Sequence, residues 1–148
     1  MKGVSRKPVP YVCEDDRSLS SDQQTVFWLI CKNNEDTNKT LRRYARASKD
    51  GRDGHREYDD RLLTVADKEE FLTVCQKVEN FSFSEEYYQK RPQIKQKADE
   101  NGFIDIIDDP DLLGDLVSEL PPDVLSELFS AVNNPVKLDR GAKKNLSY

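Results

Sequence analysis

The sequence predicts an α+β fold, mainly α-helical, with a small N-terminal β element and a C-terminal helix pair. Three observations carry that expectation. Gln24-Thr25-Val26-Phe27-Trp28-Leu29-Ile30-Cys31 is β-branched and aromatic almost throughout, the composition of a buried strand. Residues 65–79 place Phe71, Leu72, Cys75 and Val78 at helical spacing on one face. Two further apolar runs, Leu112 to Leu120 and Val124 to Val132, are punctuated by Asp109-Pro110, Pro121-Pro122 and Asn133-Asn134-Pro135. Such pairs start and stop helices, because proline suits the first helical turn and breaks a turn already formed.

Taken in chain order, residues 1–12 carry Lys2, Arg6 and Lys7 without an acid, and Pro8 and Pro10 favour extended backbone. A flexible N-terminal arm is expected there, then a single domain over 13–136, then a tail or short helix over 137–148. Thr37 is expected to cap a helix running to about Ser48, with Leu41, Tyr44 and Ala45 on one side. The glycines of Asp50-Gly51-Arg52-Asp53-Gly54 end it. Thr64, with Asp67 three residues on, resembles a capping box at the head of the 65–79 helix. Asn80 to Ser84 reads as a turn, and Ser84 as the cap of a short helix through Tyr87 and Tyr88. The polar stretch 89–102, interrupted by Pro92, reads as a mobile loop.

Composition limits what such a domain can do. Of 148 residues, 36% are hydrophobic and 34% charged, and the mean hydropathy of -0.82 implies a thin core. A net charge of -5 opposes general nucleic-acid binding, which needs a surplus of Lys and Arg against phosphate. Cys13, Cys31 and Cys75 are odd in number and far apart, the pattern of reduced thiols and not of a disulfide scaffold. The longest apolar run, Val26 to Cys31, is six residues, far short of a membrane span, and no apolar stretch of signal-peptide type follows the N-terminal cations. A cytoplasmic protein is expected.

No catalytic residue, cofactor site or metal site is expected. The single histidine, His55, lies beside Gly54, and no serine occupies a strand-to-helix elbow of the kind a nucleophile needs. The cysteines lack the two-to-four-residue spacing of zinc ligands. Ser48 to Gly54 lacks the ending of a phosphate loop and the alternating acids of a calcium loop.

Charge is strongly segregated instead. Lys39 to Arg56 holds seven basic and two acidic residues, whereas Asp99 to Glu127 holds ten acidic and no basic ones. Opposite patches on one small protein favour association, including contact between copies. The residues expected to contact partners are Trp28, Arg42, Arg43, Arg46 and Lys49, with Asp108, Asp109, Asp111 and Asp115 on the acidic side. Two alternatives accompany this reading. The acidic surface suits a small inhibitor of a basic site on a host factor, and the basic helix with Tyr44 suits nucleic acid, by aromatic stacking among arginines.

The segments Lys7 to Val12, Gln24 to Leu29 and Phe71-Leu72 to Val78-Glu79-Asn80-Phe81, with the ending Leu120-Pro121-Pro122-Asp123-Val124-Leu125-Ser126-Glu127-Leu128 and then Gly141 to Asn145, resemble small tail-module proteins of long-tailed bacteriophages. The pattern is similar to that of tail assembly chaperones. That resemblance implies a non-enzymatic protein of the host cytoplasm, without cofactor. It would bind the tape measure protein, keep it soluble and help recruit tail-tube subunits.

Overall fold

A computed structural model describes residues 1–51 and 54–143 of the chain. Its centre is an antiparallel sheet of four strands, β1 (Val9–Tyr11), β2 (Val26–Leu29), β5 (Cys75–Ser82) and β6 (Phe103–Ile107), in the spatial order β1-β2-β5-β6. A separate hairpin pairs β3 (Ser48–Asp50) with β4 (Arg56–Tyr58). Seven helices occur among the described residues: α1 (Asn34–Arg46), α2 (Asp60–Val74), α3 (Glu85–Lys90), α4 (Pro92–Lys95), α5 (Pro110–Glu119), α6 (Pro122–Val132) and α7 (Pro135–Arg140). The fold is α+β and mainly helical.

Period-two alternation decides which sheet face is covered. Tyr11, Phe27, Leu29, Cys75, Val78, Ile104 and Ile106 point to one side and join Phe71, Val74, Leu113, Leu116, Leu128 and Val132 in a single apolar cluster. Phe71 meets Phe27 edge-to-face at 6.4 Å, which fastens α2 to the sheet.

Several elements differ from the sequence expectation, each for a local reason. Val9–Tyr11, expected to lie in a flexible arm, form β1 and bury Tyr11 completely. The C-terminal stretch, expected as a tail or short helix, runs from α7 to the outer edge of β1 and seals it: Val12 N donates to Gly141 O, and Lys143 N to Pro10 O. A side chain at Gly141 would fall 1.9 Å from the Tyr11 ring, so glycine is what lets the two segments meet. The expected helix pair, α5 and α6, follows β6, and the short helix α7 follows the pair. Residues 144–148 lie outside the described residues.

Helix α1 starts four residues earlier than expected, where Asn33 and Asp36 form a reciprocal capping box. Leu41, expected on its apolar face, is 65% exposed. The break at 50–54 falls between β3 and β4, with Gly54 at φ 73°, a conformation that suits glycine; Arg52 and Asp53 lie outside the described residues. Helix α2 is capped by Asp59, not Thr64, and ends at Val74. Cys75 and Val78 reach the core from strand β5 instead, so the expected helix over 75–79 and the turn after it are replaced by pairing with β2 and β6. Asn80, at φ 62°, marks an irregularity in β5, and its amide donates to the backbone oxygens of Asp22 and Gln24. The stretch 89–102 contains α4 and a turn in which Asp99 accepts the Asn101 and Phe103 amides. Ser84 and Asp109 do cap α3 and α5, accepting from Tyr87 N and Leu112 N.

Candidate protein-interaction surfaces

The side of the sheet away from the core is partly exposed, with Val26 buried at one end of it. Pro10 pairs with Trp28, Trp28 with Lys77, and Lys77 with Ile107, so one row of side chains crosses all four strands on that face. Trp28 is half-buried in the middle of it. Its Nε1 donates to Glu79 Oε1 at 2.5 Å, and Lys77 Nζ stands 5.0 Å from the ring centroid and 3.4 Å from the same carboxylate. The indole is therefore fixed in orientation by a hydrogen bond and a cation above its face, the latter a contact of about 0.5–1 kcal/mol at an exposed site. Ile107, 57% exposed, ends the row. Sequence reasoning singled out Trp28 but missed Lys77, Glu79 and Ile107. The alternation of Phe103-Ile104-Asp105-Ile106-Ile107 was the available signal for β6, and a strand there exposes Ile107.

The basic residues divide between structure and surface. Arg43 is spent inside: Nη1 donates to Glu70 Oε2 and Nη2 to Thr73 Oγ1, both at 2.8 Å. Tyr44 is half-buried and its hydroxyl donates to Asp67 at 2.5 Å, which takes the ring away from the role of a stacking platform. Burial and that carboxylate together push the phenol well above its ordinary value. Arg42 and Arg46 on α1 and Lys49 on β3 remain exposed.

The acidic segment divides in the same way. Asp109 is the α5 cap, Asp115 accepts the Tyr87 hydroxyl at 2.8 Å, and Asp105 accepts the Asn80 amide. Glu127 accepts the Tyr11 hydroxyl at 2.6 Å and the Glu14 amide. Asp108 and Asp111 are exposed. The charge run of the sequence is thus part scaffold, and of the four acids expected to contact partners Asp108 and Asp111 remain exposed while Asp109 and Asp115 make hydrogen bonds within the fold.

Groups capable of covalent or metal chemistry are poorly placed for it. All three cysteines are buried and free, and burial pushes the Cys75 thiol up to about 12, so little thiolate forms near neutral pH. Among the described residues no three His, Cys, Asp or Glu side chains gather as a metal site. His55 is exposed on the hairpin. A mostly apolar cavity of about 580 Å³ lies under residues 2–10, with Cys31 and Leu138 on its wall. Arg6 closes that segment down, donating to the Cys31 carbonyl oxygen at 2.8 Å and pairing with Asp36. No described helix is long and apolar enough to cross a membrane.

No protein-family model, curated protein or solved structure matches the chain.

Proposed function

We propose that this chain is a non-enzymatic protein-binding protein, a tail assembly chaperone-like factor acting in the host cytoplasm. It holds a helical segment of the tape measure protein against the partly exposed face of its sheet and helps recruit tail-tube subunits. The observation that carries the binding role is the row Pro10, Trp28, Lys77 and Ile107, with its indole pre-oriented by Glu79. Aromatic anchors that are rigid before contact lose little entropy on binding, which is why tryptophan dominates interface energetics. An amphipathic helix suits the face: apolar positions meet Trp28 and Ile107, and polar ones meet Lys77 and Glu79. The identity of that helix comes from the resemblance alone.

Co-expression with a tape measure protein tests the reading. The wild-type chain keeps the long protein soluble and co-purifies with it. A Trp28→Ala protein with unchanged far-ultraviolet circular dichroism loses it, with at least a ~30-fold weaker dissociation constant, the equivalent of about 2 kcal/mol. Equal binding by Trp28→Ala, or a tape measure left insoluble by the wild-type chain, sinks the proposal.

A further inference from the structure

Helix α2 runs between α1 and α5 above the sheet, and its remaining side is open. Glu70, Asp67 and Thr73 face α1, Phe71 and Val74 face the sheet, and Lys68 lies on the α5 side, where a Cβ added at Gly114 would stand 3.7 Å from its Cδ. Leu62, Val65 and Glu69 recur at three- and four-residue spacing on the side left over. Leu62 and Val65 are 48% and 50% exposed. Arg43 lies 3.8 Å from Glu69, drawing that carboxylate toward α1 and away from the apolar pair.

The two flanks carry opposite charge. On α1 Lys39, Arg42 and Arg46 are exposed, with Lys39 paired to the exposed Glu35, and on α5 Asp111 and Ser118 are exposed with the half-buried Asp115 between them in the stripe. The three-helix face therefore runs basic, apolar, acidic, in that order across α1, α2 and α5. A second copy rotated about a twofold axis lying along α2 sets its acidic α5 over the first copy's basic α1, and its α1 over the first copy's α5. Leu62 and Val65 then meet their own counterparts on the axis. Such a surface is self-complementary, the condition for a closed symmetric dimer.

We propose that two copies of this chain pair through this face, with Leu62 and Val65 as the seam and Arg42 and Arg46 opposite Asp111 of the other copy. The face is separate from the Trp28 sheet face, so a dimer presents two partner-binding sheets outward. Pairing of opposite charges on exposed helices is screened by salt, so the dimer weakens as ionic strength rises.

Sedimentation velocity on the whole chain reads the outcome. The wild type forms a discrete dimer at low salt, with a dissociation constant about tenfold or more weaker at high salt, some 1.4 kcal/mol. Arg42→Glu/Arg46→Glu is monomeric, and so is Asp111→Lys/Ser118→Lys, because each now faces like charge. An equimolar mixture of the two regains a one-to-one dimer, since both contacts again join opposite signs. Val65→Asp abolishes the dimer by placing two carboxylates on the axis, and Trp28→Ala leaves it intact, which separates this face from the sheet face. All the substituted positions but Trp28 are exposed or half-exposed, and circular dichroism confirms that each variant folds. A wild type that stays monomeric at millimolar concentration in low salt overturns the proposal. So does a mixture that remains monomeric, or one that grows into open polymers, the mark of head-to-tail contact.

Discussion

On the inward side of α2, Phe71 and Val74 sit among the apolar side chains of the sheet and α5, whereas on the side toward α1 the contacts are Glu70, Asp67 and Thr73 against Lys32, Thr40, Arg43 and Tyr44. Among the described residues none between Cys31 and Phe71 belongs to the apolar cluster. The body is thus held by non-directional burial, and α1 by a polar clasp. Lys32 Nζ pairs with Glu70 Oε1 at 2.7 Å, with both side chains at most 4% exposed. Thr40 bridges them, its hydroxyl 2.5 Å from Lys32 Nζ and 2.8 Å from each Glu70 oxygen. Among the described residues no buried side-chain polar atom lacks a partner.

The difference teaches how a chain with so few hydrophobic residues orders a 13-residue helix of very polar composition. A buried ion pair gains little net stability over an apolar pair of the same shape, because desolvation offsets the attraction. What it does impose is a unique fit, since any other placement of α1 takes Thr40 and Arg43 away from the buried Glu70. The body tolerates small shifts; the clasp does not. That contrast accounts for an α1 that presents Arg42 and Arg46 outward in a fixed orientation while the core beneath remains small.

The largest break in the comparison comes from the body. Phe71→Ala removes a fully buried ring from the centre of the cluster and costs about 3–5 kcal/mol, read by denaturant unfolding. The loss is global, so circular dichroism and Trp28 fluorescence fall together; a local effect confined to α1 argues against one continuous core.

The clasp gives a smaller and more telling result. Glu70→Ala leaves Lys32 buried without its partner and costs about 3 kcal/mol or more, while Lys32→Met/Glu70→Leu lies within about 2 kcal/mol of wild type, in either direction. A double variant as damaged as the single one breaks the distinction between the two regions, since the charges themselves would then carry the stability.

The smallest effect is acid sensitivity at the edge of the clasp. Burial alone would raise the Asp36 carboxyl, but the Asn33 amide and the Arg6 guanidinium outweigh it and hold it below the usual aspartate range. A depressed carboxyl stabilises the fold fully above its unfolded value, and that contribution is lost as pH falls through the folded value. Amide protection over 34–46, taken relative to the intrinsic exchange rate at each pH, therefore falls with acid before that of β2 and β5, and Asp36→Asn removes the pH step. Simultaneous loss in both regions counts against the polar clasp as a separable unit.

Parts of this architecture were legible in the residues themselves. Helices α5 and α6 follow from proline and apolar spacing, α3 and α5 from Ser84 and Asp109 as caps, and β2 from its β-branched and aromatic run. These signals are local, because a cap or a proline acts on its own turn whatever surrounds it. The candidate site was legible only in part: Trp28 was, whereas Lys77, Glu79 and Ile107 had no meaning until β5 and β6 were strands.

What the sequence determined alone was the composition of each element and the absence of a long apolar run. The tertiary structure decided the rest where two local readings tied. Phe71, Leu72, Cys75 and Val78 satisfy helical spacing, and neither glycine nor proline separates Val74 from Cys75. Cys75 opposite Leu29, and Val78 opposite Phe27 and Ile106, tip that stretch into a strand, since backbone bonds to two neighbours and burial of both side chains outweigh a modest helical preference. The charge runs behave likewise. Their totals are fixed by sequence, but whether Arg43 or Asp115 is surface or scaffold depends on Glu70 and Tyr87, partners 27 and 28 positions away that only packing brings within reach.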